Sequence, residues 1–255
     1  MKFRAKLTKD SVTVLIGICQ TISKLCANTV ILLTDSFIRI AAVPESLSSS
    51  RCFSELLVDS VFEDYKIESL TVNTILFELN SDLLSKALAS GKHSPICQLK
   101  LVKRDSKPFL CFEAQTVEGI YIDVVHDIPI TLMKPSDIQY YLPPSVPSPR
   151  VCLELPRGRL LKTIIDRLGK LAKQITITAS QIGKMLLSVE HGCAVLKTNY
   201  TGLTGRFEGD LDPLSDADNS ATVTVELKTL SQIFNLSTLQ YSRAVLCKYC
   251  VILLL

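Results

Sequence analysis

Only three histidines occur in the chain, His93, His126 and His191, and each stands alone in the sequence. A metal centre or a histidine-driven acid–base site draws on a cluster of such groups, so none is predicted here. Cys247-x-x-Cys250 lacks a second pair at zinc spacing. A phosphate-binding glycine loop is missing too: Gly91-Lys92 has Lys86 where the upstream glycine belongs, and no Gly-x-Ser-x-Gly elbow occurs. The acidic stretch with Asp210, Asp212, Asp216 and Asp218 fails as a calcium loop, since Ser215 stands where glycine is needed and Ala221 where glutamate is needed. It reads as a solvated loop. These absences leave no sequence grounds for catalysis, and the expectation is a non-enzyme without cofactor or metal. No apolar run approaches the roughly 18 residues of a membrane span, the longest clean one being the terminal VILLL, so no membrane partner is expected. MKFRAKLTK followed by SVTVLIGIC has the order of a secretory leader, but Asp10 and Thr13 interrupt it and no small-x-small pattern follows.

The 255 residues are 47% hydrophobic, enough for one large or two ordinary domains with a sizeable core. Nine cysteines, an odd number spread mainly through apolar runs, read as reduced, buried thiols of a cytosolic or nuclear protein and not as a disulfide framework. Charge is distributed unevenly. Arg157 to Lys173 carries six basic residues against Asp166, a net +5, while the whole chain carries +3. At helical period Leu160, Leu161, Ile164, Ile165, Leu168 and Leu171 share one arc, and Arg159, Lys162, Arg167, Lys170 and Lys173 the opposite one. This predicts a helix with a core face and a cationic face. The cationic face is either merely solvated or meets a polyanion, with phosphate the leading candidate.

In chain order, Lys2 to Leu7 alternates as a strand, and Lys9-Asp10-Ser11 starts a helix running to about Ala27. Its buried side is Val12, Leu15, Ile16, Cys19, Ile22 and Cys26, leaving Thr13, Gly17, Gln20, Thr21, Lys24 and Asn28 outside. Strands are expected at 29–33, 37–43, 51–58 and 72–79. Asn80-Ser81-Asp82 then caps a helix whose apolar face is Leu83, Leu84, Ala87 and Leu88 and which Gly91 ends, and strands follow at 96–103, 109–115 and 119–125. Between His126 and Arg150 lie six of the eleven prolines, a density incompatible with an interior helix or central strand and read as a linker. The order then begins again: a strand at 151–155, the basic helix, strands near 175–179, 184–190 and 193–198, and a strand and helix over 221–236. Phe3–Leu7 resembles Val151–Leu155, and Glu78-Leu79 resembles Glu226-Leu227, both at an offset of 148. An internal duplication is predicted. The boundaries are 1–125 for the first half, 126–149 for the linker and 150–255 for the second half.

MKFRAK at the start, TVNTILFELNSDLLSKAL from Thr71 to Leu88, and HDIPI at His126 to Ile130 leading through the prolines into YLPPSVPSPRVCLELP resemble one family. They look like the Hus-type subunit of the heterotrimeric DNA-damage checkpoint clamp, a relative of the replication sliding clamp, over residues 1 to about 246. The resemblance implies an α+β, duplicated sliding-clamp fold, with antiparallel outer sheets and helices lining the inner face of a ring around double-stranded DNA. It implies a nuclear scaffold for checkpoint signalling and repair. Its partners are two other clamp subunits, an ATP-driven clamp loader and repair enzymes, and DNA is held without sequence specificity. Lys24, Lys86, Arg159, Lys162, Arg167, Lys170 and Lys173 are then the DNA-facing residues. Gly119, Tyr121 and Val125 fall at one subunit seam, Cys193, Val195 and Thr198 at the other. Ile138, Tyr140, Tyr141 and Leu142 of the linker are candidates for client binding, the alternative being that they pack on the outer sheet. One departure stands out. Three strands follow the second helix of the first half, but CKYCVILLL does not look like the family's ending, and about two strands are expected to be missing from the second half. The alternative function is therefore a truncated adaptor that binds clamp partners without closing on DNA.

Overall fold

Alternation dictates the first strand: in β1 (Lys2–Leu7), Phe3, Ala5 and Leu7 are buried and Lys2 and Arg4 exposed, so one face belongs to a core. The chain is seen in a computed structural model, which describes residues 1–43, 51–69, 73–116, 122–143, 151–156, 159–205, 220–234, 243–247 and 250–254. Two compact units, Met1–Pro143 and Pro144–Leu255, divide it.

In the first unit α1 (Lys9–Leu25) begins where Thr8 Oγ1 accepts the Ser11 N–H at 3.1 Å. Val12, Leu15, Ile16, Cys19 and Ile22 are buried as expected, but so are Gly17 and Thr21. The reason is a second packing partner, α3 (Ser81–Ser90), which widens the buried arc of α1 beyond the sheet-facing one. The Thr21 hydroxyl satisfies itself on the Gly17 carbonyl at 2.9 Å, so its burial leaves no orphaned donor. Asn80 Oδ1 caps α3 by accepting the N–H groups of Asp82 and Leu83, both at 3.1 Å. Leu84, Ala87 and Leu88 are buried, whereas Leu83, expected on the same face, is exposed. It lies one position outside the 100°-per-residue arc that the neighbours occupy.

Both helices lie on a nine-stranded antiparallel sheet built from β1, β2 (Asn28–Leu33), β3 (Phe37–Ala42), β4 (Cys52–Leu57), β5 (Phe62–Glu68), β6 (Ile75–Asn80), β7 (Ile96–Arg104), β8 (Lys107–Thr116) and β9 (Ile122–Leu132). The spatial order is β4-β3-β2-β6-β9-β8-β7-β1-β5. β5 has no counterpart in the sequence reading. It follows one turn, α2 (Val58–Val61), and its FEDYKIE pattern is charged because only Phe62 and Ile67 are buried. Tyr65 holds it in place, meeting the Phe3 ring edge-to-face and donating its hydroxyl to the Thr34 carbonyl at 2.7 Å. β9 likewise runs on through residues 126–132, which the proline count assigned to the linker. It pairs with β8 from Ile122 to Pro129 and with β6 only from Ile130 to Leu132. Pro129 thus sits at the end of a single-partnered stretch, the kind of strand position a proline tolerates.

The second unit repeats these pairings. β11 (Gln174–Ser180), β12 (Lys184–His191), β13 (Ala194–Tyr200) and β14 (Ser220–Glu226) form a sheet in the order β13-β12-β11-β14, the connectivity of β4-β3-β2-β6. β10 (Cys152–Glu154), β15 (Arg243–Cys247) and β16 (Cys250–Leu254) stand in the order β10-β15-β16, as β1, β7 and β8 do. The C-terminal segment therefore holds two strands, in the places of β7 and β8, where about two were expected to be missing. A counterpart of β9 is not among the described residues. α4 (Arg159–Leu168) and α5 (Leu227–Phe234) pack together over a core that includes Leu153, Ile165, Ile175 and Leu187. α4 is shorter than the predicted 157–173: Gly169, a poor helix former, follows Leu168, and the next N–H groups bond three residues back, Lys170 to Arg167 O (3.2 Å) and Leu171 to Leu168 O (3.0 Å). Leu160 and Leu171, assigned to the core arc, are exposed, because the core beneath α4 takes Leu161, Ile165 and Leu168.

The turn between β11 and β12 depends on Gly183. Its φ is +77°, its carbonyl accepts the Leu203 N–H at 3.0 Å, and a Cβ there would collide with the Leu203 carbonyl oxygen. Gly183→Ala is expected to cost about 2–4 kcal/mol of unfolding free energy in urea titration of the full chain. A loss below about 0.5 kcal/mol contradicts this packing.

Candidate nucleic-acid interface

α4 buries Leu161, Ile165 and Leu168, so the arc opposite them is left for water or a ligand. On it Lys162 is half-buried and reaches Asp166 across one turn (Nζ to Oδ2 3.8 Å), while Asp166 Oδ1 accepts the Ser231 hydroxyl of α5 at 2.6 Å. Asp166 is thereby fixed at the α4–α5 junction and draws Lys162 inward. Arg167, Lys170 and Lys173 are exposed. Only Arg167 is helical, in the last turn, where a cation suits the helix dipole. Lys170 and Lys173 lie on the segment leading to β11, which is held by two bonds: His191 Nδ1 lies 2.6 Å from the Leu171 carbonyl, and the Leu227 N–H donates to the Lys173 carbonyl at 2.9 Å. The cationic patch is thus a helix end plus a tethered turn, not five turns of helix. Arg159 is in the first turn of α4, and its side chain is outside the described residues. Leu160, next to Arg159 in the first turn, is 67% exposed.

In the first unit Lys24 is exposed in the last turn of α1 and Lys86 is exposed on α3. Lys9 on α1, which the sequence reading passed over, is exposed as well, as is Lys228 on α5 in the second unit. Lys228 stands off the arc of Leu227, Leu230 and Phe234 and could have been found from the helical period, whereas Lys9 shares the angular position of the buried Ile16 and could not. Asp10 and Asp82 occupy first turns, the electrostatically favoured place for an acid.

Among the strands that carry an unpaired edge in the described residues are β9 and β13. β9 has β8 on one side from Ile122 to Pro129 and no second partner there. Val125 lies in this stretch and is 50% exposed, whereas Gly119 and Tyr121 lie outside the described residues. β13 is paired only with β12, and Val195, 56% exposed, lies on it with the half-buried Thr198. Cys193 is exposed in the turn before β13.

The segment after β9 divides the expected client residues. Met133 N–H donates to the Leu76 carbonyl at 3.0 Å, and a 3-10 helix, Pro135–Tyr141, follows. Ile138 and Tyr141 pack with Phe37 and Met133 on Val30, Leu32 and Leu76, residues alternate in β2 and β6 to Ile31 and Phe77, which line the helix-side core. Burial, with the charges of Glu78 and Asp137 adding, holds the Tyr141 phenol above its ordinary value. Tyr140 and Leu142 stay exposed. No helix among the described residues is long and apolar enough to cross a membrane.

A family model described as Hus1-like protein matches residues 1–250. The chain belongs to the Hus1-like family. Among Hus1 relatives, the checkpoint protein hus1 homolog of Dictyostelium discoideum is 28% identical, over 98% of this chain and 91% of its own length. Checkpoint protein hus1 of Schizosaccharomyces pombe is 25% identical, over 86% of this chain and 75% of its own length. Among solved structures, PCNA of A. fulgidus with the C-terminal region of FEN-1 bound has a TM-score of 0.66 at 13% identity, covering 96% of this chain and 87% of that one. The fold of this Hus1-like chain is therefore that of the sliding clamps, as the sequence resemblance implied.

For the apolar patch of this Hus1-like chain, Tyr141→Ser and Ile138→Ser are each expected to lower stability by about 1–2 kcal/mol, because both side chains are half-buried against β2 and β6. Tyr140→Ser stays within about 0.5 kcal/mol. Chemical denaturation of the three variants checks this, and equal losses at Tyr140 and Tyr141 contradict it.

Proposed function

We propose that this Hus1-like chain is a non-catalytic subunit of a heterotrimeric ring that encircles double-stranded DNA in the nucleus and serves as a scaffold for DNA-damage checkpoint signalling and repair. The observation that carries the proposal is a family match across both units together with a duplicated clamp fold whose α4 surface concentrates exposed cations. Arg167, Lys170 and Lys173, with Lys24 and Lys86 of the first unit, meet phosphates and read no base edges. Arg159 joins them, and Lys162 contributes less because Asp166 holds it. The edges of β9 and β13 serve as the seams to two different clamp subunits, each adding a strand to the neighbour's sheet. Val125, Val195 and Thr198 lie along them, with Gly119 and Tyr121 at the start of the first seam and Cys193 at the start of the second. An ATP-driven loader opens the ring. Repair enzymes dock on the patch formed by Ile138 and Tyr141, with Tyr140 and Leu142 as exposed contacts. The FEN-1 segment bound to A. fulgidus PCNA supports that last part by analogy of fold.

Salt dependence tests the DNA reading in the assembled complex. Log affinity for duplex DNA should fall with log salt by about 0.9 per phosphate contact. Arg167→Ala, Lys170→Ala and Lys173→Ala together should flatten that slope by roughly 2–3, and Lys162→Ala alone by less than 1. An unchanged slope in the triple variant removes α4 from the DNA interface.

A further inference from the structure

His191 touches a part of the second unit from which 20 residues of sequence separate it. The strand ladder fixes its own position. β12 ends at His191, which pairs with Ala194 across a two-residue turn where Gly192 takes the left-handed conformation at φ +59°. β11 and β12 run antiparallel from Ser180 opposite Lys184 to Thr176 opposite Ser188. Continued along both strands, that register sets His191 level with Lys173, where the turn out of α4 enters β11.

The side chains of this turn hold it weakly. Gly169 has none, Lys170 and Lys173 are exposed, Leu171 is 40% exposed, and Ala172 packs on the core with a single methyl group. Backbone bonds secure the two ends. At the helix end the Gly169 N–H donates to the Ile165 carbonyl at 2.9 Å and the Ala172 N–H to the Leu168 carbonyl at 3.0 Å; at the strand end the Leu227 N–H donates to the Lys173 carbonyl at 2.9 Å. His191 secures the middle, its Nδ1 lying 2.6 Å from the Leu171 carbonyl. A carbonyl oxygen only accepts, so Nδ1 carries the hydrogen and donates it, and Nε2 has no part in this bond.

We propose that His191 is a positioning residue of the DNA-facing surface: by donating to the Leu171 carbonyl it fixes the turn on which Lys170 is presented between Arg167 and Lys173. This role rests on the reading of those three cations as phosphate contacts. A turn without the tether has to be ordered when phosphate binds, and that entropy is subtracted from affinity. The requirement at position 191 is therefore a donor at the place of Nδ1, not a charge and not an imidazole as such. Asparagine carries its amide nitrogen as many bonds from Cα as Nδ1 stands, whereas glutamine carries it one bond farther, at the reach of Nε2. The two amides separate the tether from a direct contact of Nε2 with DNA.

The test measures duplex DNA binding against salt, and amide hydrogen exchange over residues 169–173, in the assembled complex. His191→Ala and His191→Gln are each expected to weaken binding roughly 2–10-fold, to flatten the salt slope by about 0.9, the share of one phosphate contact, and to speed exchange in the turn. His191→Asn keeps all three near wild type. In a Lys170→Ala background, His191→Ala flattens the slope no further, because the contact it positions is already gone. Wild-type binding and exchange in His191→Ala, or retention by His191→Gln with loss in His191→Asn, overturns the proposal. If Lys170→Ala and Lys173→Ala flatten the slope while His191→Ala does not, the tether alone is refuted; if none of them does, the DNA reading of this surface falls with it.

Discussion

Each unit rests on one constraint: a helix pair must cover one face of an antiparallel sheet, and strand alternation divides the residues between that face and the other. In the first unit Phe77, Phe112, Ile22 and Leu88 are buried; in the second, Leu153, Ile165, Ile175 and Leu187. At about 25 cal/mol per Å² of apolar area, burying such side chains outweighs any surface ion pair, which contributes about 0–1 kcal/mol. The cross-strand pairs Lys2–Glu68, Lys100–Glu113 and Arg104–Asp127 therefore decorate the outer sheet face without holding it together. Once the core has taken the inner arcs, the surfaces left for partners are the outer helix arcs, the strand edges and the far side of the sheet. The proposed roles fall on these three surfaces.

Charge follows from the same division. The inner arc of α4 is committed to Leu161, Ile165 and Leu168, so its basic residues are confined to the remaining surface. Asp166 then sorts them. By accepting from Ser231 it is anchored between α4 and α5, and it retains Lys162 while Arg167, Lys170 and Lys173 extend into water. A polyanion meeting this surface gains from cations whose desolvation cost is small, because they were never buried.

Much of this was legible from local chemistry. Asn80 announces its helix because a side-chain oxygen two or three residues ahead of unpaired N–H groups is a local requirement, while the helix start read at Lys9-Asp10-Ser11 is capped one residue earlier, by Thr8. The duplication was legible because both units solve the same packing problem with the same element order. What escaped depended on distant partners. Gly17 and Thr21 look solvent-facing until α3 covers them. Leu171 looks buried until α4 ends at Leu168, and Leu160 until Leu161, Ile165 and Leu168 are seen to fill the core beneath the helix. β5 carries too much charge to read as a strand, since it sits at the sheet's edge beside β1. Proline density hid the end of β9, where a single-partnered stretch accommodates Pro129. Of the linker residues, hydropathy alone did not separate Ile138 and Tyr141, which fold onto β2 and β6, from Tyr140 and Leu142.

The central claim is that the clamp fold of this chain works as part of a closed ring on DNA. Topology tests it most directly. The complex of this chain with its two partner subunits is loaded on nicked circular duplex DNA, washed at high salt, and the DNA is then linearised. A ring held by topology survives the wash, because screening removes phosphate contacts without opening it, and it is lost when DNA ends are created. Release by the salt wash alone, or retention after linearisation, contradicts the account.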